Sequence, residues 1–123
     1  MNDEGEMLLV RSHKWGDLYT IAGGHVEVGE TLESALRREI NEEVGLDIYD
    51  VKLLMTQEAI FSSQFWKRKH FIFFDFVCRC SKKEVVVDGK EIEGYAWVKP
   101  RDALGMELDE FTRRMVERYL NSP

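Results

Sequence analysis

The sequence predicts a mixed α/β domain, with strands, a helix, further strands and a closing helix. Three observations lead there. Residues Leu32 to Val44 hold no glycine or proline, are rich in Leu, Ala, Arg and Glu, and sit between a threonine and a glycine. Short apolar stretches rich in β-branched and aromatic residues flank that segment on both sides. Near the end, Phe111, Met115 and Tyr119 recur at every fourth residue, as on one helix face. With 123 residues, 44% of them hydrophobic and 33% charged, the chain has the make-up of a soluble domain with a real core, taken as one unit over 1–123.

In chain order, "EMLLVRS" (Glu6 to Ser12) reads as a strand and "DLYTIA" (Asp17 to Ala22) as another, with "HKWG" between them. Ahead of both, "NDEG" at Asn2 to Gly5 reads as a hairpin turn. A hairpin needs a strand on each side, and the first is missing. That omission predicts an exposed edge at "EMLLVRS" or a neighbouring strand, and edges with open backbone groups recruit partners. A two-fold homodimer is the expected cover. Charge from Glu6 and Arg11, which bracket the strand, is the alternative protection.

Gly23, Gly24 and Gly29 punctuate the loop that follows. Thr31 is the expected N-cap of the helix and Gly45 its terminating glycine. Beyond it, "VKLLMTQEAI" (Val51 to Ile60) and "HFIFFDFVCRC" (His70 to Cys80) read as strands. "KKEVVVDGKEIEGYAWV" reads as two short strands around the turn signal Asp88-Gly89. Glu107 to Leu120 is the second helix, with Leu108 and Leu120 flanking its apolar face.

The first helix carries an anomaly. At about 100° per residue, Leu32, Ala35, Leu36, Glu39 and Glu43 fall on one stripe, with Glu42 at its margin. Ile40 and Val44 keep the flank apolar. One reading is a solvated acidic face with a weak Arg38–Glu42 pair at i,i+4. The other starts from the fact that these carboxylates prolong a core stripe and repel one another at i,i+3 and i,i+4. Clustered carboxylate oxygens are commonly neutralised by a hard divalent cation, Mg²⁺ or Mn²⁺, and Mg²⁺ favours a site shared with substrate phosphate.

Gly24, Glu30, Arg38, Glu39, Ile40, Glu42, Glu43, Gly45 and Leu46 resemble the signature of the Nudix hydrolases. That signature is G, five residues, E, seven residues, then R-E-U-x-E-E-x-G-U, where U is bulky and aliphatic. Seven fixed identities match by chance on the order of once in 10⁸ starting positions. Two departures are visible: Ala22-Gly23-Gly24 replaces a frequent Pro-Gly-Gly, and Val28 stands where proline is common. Both concern loop stiffness more than chemistry.

The resemblance implies an α/β/α fold, a mixed sheet between helices, here lacking the first strand. It implies hydrolysis of a diphosphate bridge by water, with Mg²⁺ as cofactor and Mn²⁺ as a possible substitute. It also implies roles for the box. Glu42 and Glu43 are metal ligands, Glu39 is a ligand or the base, and the Gly23 carbonyl completes the coordination. Arg38 orients a box glutamate and Glu30 braces the loop, while Gly24, Ile40 and Gly45 are structural. Some relatives keep the base in a later loop, which makes Glu91 and Glu93 candidates beside a plain reading as turn and strand polarity.

Among the aromatics, Trp15, Phe61, Phe65 and Trp66 lie in expected loops or strand ends and are candidates to stack on a nucleobase, or simply to pack. Phe71, Phe73 and Phe76 are expected in the core. Lys67, Arg68 and Lys69 form a basic patch, read as a solvated run or as contacts for distal phosphates. His25 is expected as a surface imidazole.

Composition excludes several functions. A net charge of −6 and a pI near 5.1 disfavour non-specific nucleic-acid binding. No apolar run approaches the roughly 18 residues of a membrane span, and Met1 to Val10 lacks the pattern of a secretion signal. Cys78 and Cys80 form no CxxC, as expected for structural thiols in a reduced, cytoplasmic protein. The expected activity is a pyrophosphohydrolase acting on a nucleoside diphosphate linked to another group, with nucleoside triphosphates as leading substrate. ADP-ribose or a nucleotide sugar is the alternative. A nucleotide-binding regulatory module without turnover is the rival of another class.

Overall fold

The computed structural model describes residues 1–81 and 84–122. In chain order it contains β1 (Met7–Ser12), a 3-10 turn (His13–Trp15), β2 (Tyr19–Thr20), α1 (Leu32–Val44), β3 (Tyr49–Ile60), β4 (His70–Arg79), β5 (Ile92–Val98), α2 (Pro100–Ala103) and α3 (Glu110–Leu120). Two antiparallel sheets form, one in the order β2-β1-β5 and the other pairing β3 with β4. A parallel bridge joins Tyr19 to Leu108.

The "MLLV" run explains the layering. Side chains alternate along a strand. Leu8 and Val10 face a core with Ile40 and Val44 of α1, while Met7 and Leu9 face a second core with Met115 and Val116 of α3. A strand buried on both faces has no polar side, and its sequence shows none. The helices therefore lie on opposite faces of β1, giving the α/β/α sandwich. Among the described residues no helix is long and apolar enough to cross a membrane.

This arrangement corrects the edge expectation for "EMLLVRS". β1 is the central strand, paired with β2 on one side and β5 on the other, so it offers no open edge to a homodimer partner. The turn at Asn2 to Gly5 does form. Gly5 N–H donates to Asn2 O at 3.2 Å and Asn2 N–H to Glu6 O at 2.9 Å, with Gly5 at φ 74°. On its other side Met1 lies along β4, its ammonium donating to Cys78 O and its carbonyl accepting from Cys80 N–H.

Three further expectations shift. "DLYTIA" gives only a two-residue strand, because Ile21 and Ala22 leave the ladder to pack into the two cores. Glu84 to Val87 is not a strand: Val86 N–H closes on Val44 O at the end of α1, and Val85 and Val87 cover that core. Lys82 and Lys83, expected at the head of that strand, lie outside the described residues. The last helix begins at Glu110, not Glu107, since Leu108 is bridged to Tyr19 and Asp109 is the N-cap.

Candidate active site

α1 begins and ends as its sequence dictates. Thr31 Oγ1 accepts from Ser34 N–H at 3.1 Å, and Gly45 closes the helix in the left-handed conformation at φ 70°. Between these caps the acidic stripe faces a cleft of about 510 Å³. Glu39, Glu43, Gly23, Gly24, Lys14, Glu91, Trp15 and Phe65 are among the residues lining it.

Glycines bring the loop onto the glutamates. Gly23 N–H donates to Glu43 Oε2 at 3.3 Å. A Cβ on Gly24 would lie 2.1 Å from Glu39 Cδ, so the backbone approaches this carboxylate as only glycine can. Glu43 is buried, and loss of water raises its carboxyl to about 7 against the pull of the Gly23 hydrogen bond, with Glu39, Glu91 and Asp88 adding repulsion.

Arg38 organises the rest. Its Nε and Nη2 grip both oxygens of Glu30, at 2.8 and 2.9 Å. Nη1 donates to Glu39 Oε1 at 2.7 Å and Glu42 Oε2 at 3.3 Å, and Nη2 also reaches His25 O at 3.0 Å. A planar fork suits such bidentate pairing better than an ammonium would. The Arg38 hydrogen bonds, with help from Glu27 N–H, hold the Glu30 carboxyl down at about 2. In return, Glu30 and then Glu39 push the Arg38 pKa further up. Glu30 also accepts from Glu27 N–H at 2.9 Å and so ties the loop to the helix.

The remaining predicted residues divide. Glu91 lines the cleft and bonds Lys14 Nζ at 2.6 Å, whereas Glu93 lies 3.8 Å from His13 Nδ1 outside that lining. Trp15 and Phe65 line the cleft in edge contact at 4.9 Å; Trp66 stacks edge-on against His13 and is half exposed. Phe71, Phe73 and Phe76, expected in the core, also line the cleft. Phe61 is exposed and carries Arg68 over its ring. Lys67 sits over Trp66, so the basic patch lies beside the hairpin aromatics and not in the cleft lining. His25 is exposed as expected, with its ring 6.5 Å from Phe71.

Sequence reasoning missed Lys14, Asp75 and Asp109 as cleft residues. Lys14 stands beside Trp15, and Asp75 follows Phe71 and Phe73 at a spacing of two, so the available signal was shared strand face.

Among the described residues no three carboxylate, imidazole or thiol groups are gathered so that they would already hold a metal. Glu42, 60% exposed, turns to Arg38, and Glu39, 18% exposed, is shared between Arg38 and the cleft. The donor set nonetheless fits a hard divalent cation. It consists of carboxylate oxygens, and the buried Glu43 faces further acids.

A family model described as NUDIX domain matches residues 1–119. The nucleoside triphosphatase NudI of Escherichia coli is 36% identical over 107 residues, covering 78% of this chain and 72% of that protein. The structure is similar to a MutT NUDIX hydrolase from Burkholderia pseudomallei, with a TM-score of 0.75 and 25% identity over 94% of this chain and 88% of that one. The fold is also that of the E. coli dihydroneopterin triphosphate pyrophosphohydrolase, with a TM-score of 0.77 and 21% identity over 98% and 89% of the two chains.

Proposed function

The chain belongs to the Nudix family of hydrolases acting on phosphorus-containing anhydrides, and we propose that it is a divalent-metal-dependent pyrophosphohydrolase of nucleoside triphosphates. The observation that carries this reading is the cleft itself. One end presents Glu39 and the buried Glu43 against a glycine loop, and the other end is aromatic. The relative at 36% identity, named a nucleoside triphosphatase, supports the triphosphate over ADP-ribose or a nucleotide sugar.

Glu39, Glu42, Glu43 and the Gly23 carbonyl would hold the cation. Bound Mg²⁺ or Mn²⁺ supplies charge neutralisation for phosphoryl oxygens and a more acidic water. Arg38 fixes the carboxylates of Glu39 and Glu42 by hydrogen bonds. Gly24 gives Glu39 its close seat, and Gly23 N–H orients Glu43. Water attacks one phosphorus of the diphosphate bridge; the new P–O bond forms as the bridging P–O bond breaks, and the phosphate-bearing group leaves with that oxygen. The water's proton passes to a carboxylate oxygen, for which Glu39 and Glu91 are the cleft candidates. Lys14 Nζ, paired with Glu91, is the ammonium available to meet phosphate oxygens.

The test is a screen of nucleoside triphosphates, ADP-ribose and nucleotide sugars with Mg²⁺ or Mn²⁺, and with neither. Triphosphates should be turned over at least about tenfold faster than the others and only with metal. A preference for ADP-ribose or a nucleotide sugar would overturn the substrate assignment. Tight nucleotide binding without turnover would indicate a regulatory module.

A further inference from the structure

Glu91 and Glu93 stand two residues apart, yet only Glu91 lines the cleft. Glu93 sits within β5, between the ladder pairs Ser12–Ile92 and Arg11–Gly94, and turns to His13. Glu91 precedes Ile92, the first paired residue of that strand, so no ladder aims it. Its ion pair is too open to water to fix it alone. Glu91 Oε1 meets Lys14 Nζ at 2.6 Å, but the two side chains are 44% and 29% exposed, and such pairs contribute little. The placement has to come from the backbone.

Asp88 supplies it. Its Oδ1 accepts from three successive N–H groups, Lys90 at 3.0 Å, Glu91 at 3.1 Å and Ile92 at 3.2 Å. Hydrogen bonds to a carboxylate are stronger than neutral ones. Gly89, at φ 73°, turns the chain so that those donors converge. Lys14 is braced in a matching way. Its N–H donates to Ser12 Oγ at 3.2 Å, and its carbonyl accepts from Trp66 N–H at 2.8 Å. Ser12 and Ile92 are partners across the ladder between β1 and β5, so the two braces flank one ladder pair. Asp88 is exposed and lies outside the cleft lining, and it reaches Glu91 through the backbone.

We infer that Asp88 is the positioning residue that holds Glu91 in the cleft against Lys14. The inference rests on the proposed function, in which Glu91 is a candidate to take the proton of the attacking water. Misplacing such a group by about 1 Å can cost about a hundredfold in rate. Because Asp88 is exposed, its removal opens no core cavity, and an effect on rate separates from an effect on folding.

Two readouts test this. Amide hydrogen exchange by NMR follows Lys90, Glu91 and Ile92, and steady-state kinetics follows nucleoside triphosphates at saturating Mg²⁺. In Asp88→Ala the three amides should exchange at least about tenfold faster, and kcat should fall about five- to tenfold with KM within about twofold. Asp88→Asn keeps an acceptor oxygen and should stay within about threefold of wild type in both. In the Glu91→Gln background, Asp88→Ala should slow turnover by less than about twofold further, since the carboxylate it positions is already gone. A full further loss in that background would overturn the assignment, as would unchanged kcat or unchanged amide exchange in Asp88→Ala. Wild-type kcat in Glu91→Gln would take Glu91 out of the mechanism and the assignment with it, while triphosphate hydrolysis stands. A wild type inactive on every triphosphate would remove the proposed function, and amide exchange alone would then decide whether Asp88 holds Glu91 in place. Were Asp88→Ala not to fold, Asp88→Ser, with its shorter acceptor, should show the same two losses at smaller size.

Discussion

Both ends of the cleft bury carboxyl groups, Glu43 at one and Asp75 beside Asp109 at the other, and the hydrogen bonds they receive differ. Glu43 receives a single 3.3 Å bond from Gly23 N–H and faces Glu39, Glu91 and Asp88. Asp75 receives the amide of Gln57 among aromatic rings, with Asp109 as its acidic neighbour. Burial raises both, Glu43 to about 7. At the acidic end the unmet charge is shared by several groups and suits a divalent ion. At the aromatic end Asp109 accepts from Phe111 N–H, Thr112 N–H and the Thr112 hydroxyl, while Asp75 receives only the Gln57 amide among the described residues. Similar burial of a like group thus has different consequences, depending on which donors reach it and which charges surround it.

The comparison can be broken at its acidic end first. Glu39→Gln should lower kcat by about 100-fold or more with little change in KM, because its role lies in the transition state. Steady-state kinetics at saturating Mg²⁺ checks this; normal turnover with a raised KM would assign Glu39 to ground-state binding. Gly24→Ala comes next. Its Cβ would displace the Glu39 carboxylate, a flexible side-chain end, so kcat/KM should drop about 10- to 100-fold while the melting temperature moves by only a few degrees. A large stability loss with intact kinetics would show the glycine serving the loop alone.

Glu91 and Glu93 sharpen the boundary of that end. Glu91→Gln should slow turnover about tenfold, through the lost carboxylate and the freed Lys14, and Glu93→Gln should stay within about threefold. Equal effects from both would erase the distinction drawn by the cleft.

The smallest effect belongs to the aromatic end. Asp75 ionises near 3.8 in the unfolded chain and higher in the folded one. Its contribution is therefore fully present below about pH 3.8 and is lost as pH rises through the folded value. Asp75→Asn removes that loss, so thermal melting should show it a few degrees more stable than wild type at pH 8, with the gap closing towards pH 4. A variant less stable at pH 8 would mean that the carboxylate is better satisfied than its hydrogen bonds indicate.

Legibility followed sequence distance. The box lies within one loop and one helix, so fixed spacing carried Glu39 and Glu43 to one side, and Thr31 and Gly45 marked both helix ends. The Asp75–Gln57 pair joins β4 to β3, and Lys14 meets Glu91 across 77 residues. No local period encodes such meetings. β1 was read as a strand but not as the central one, although an apolar run without alternation is what two buried faces require. Glu84 to Val87 has the composition of a strand, yet its Val86 N–H is committed to the end of α1. Tertiary demand overrode propensity there.

The 3-10 turn His13–Trp15 carries Lys14 to the acidic end and Trp15 to the aromatic end on consecutive residues, and Trp66 N–H clamps Lys14 O at 2.8 Å. The attachment points of both side chains are thus one peptide unit apart, and the backbone that carries them is tied down by the β3–β4 connection, so a change in that connection reaches the acidic and the aromatic lining through the same hydrogen bond.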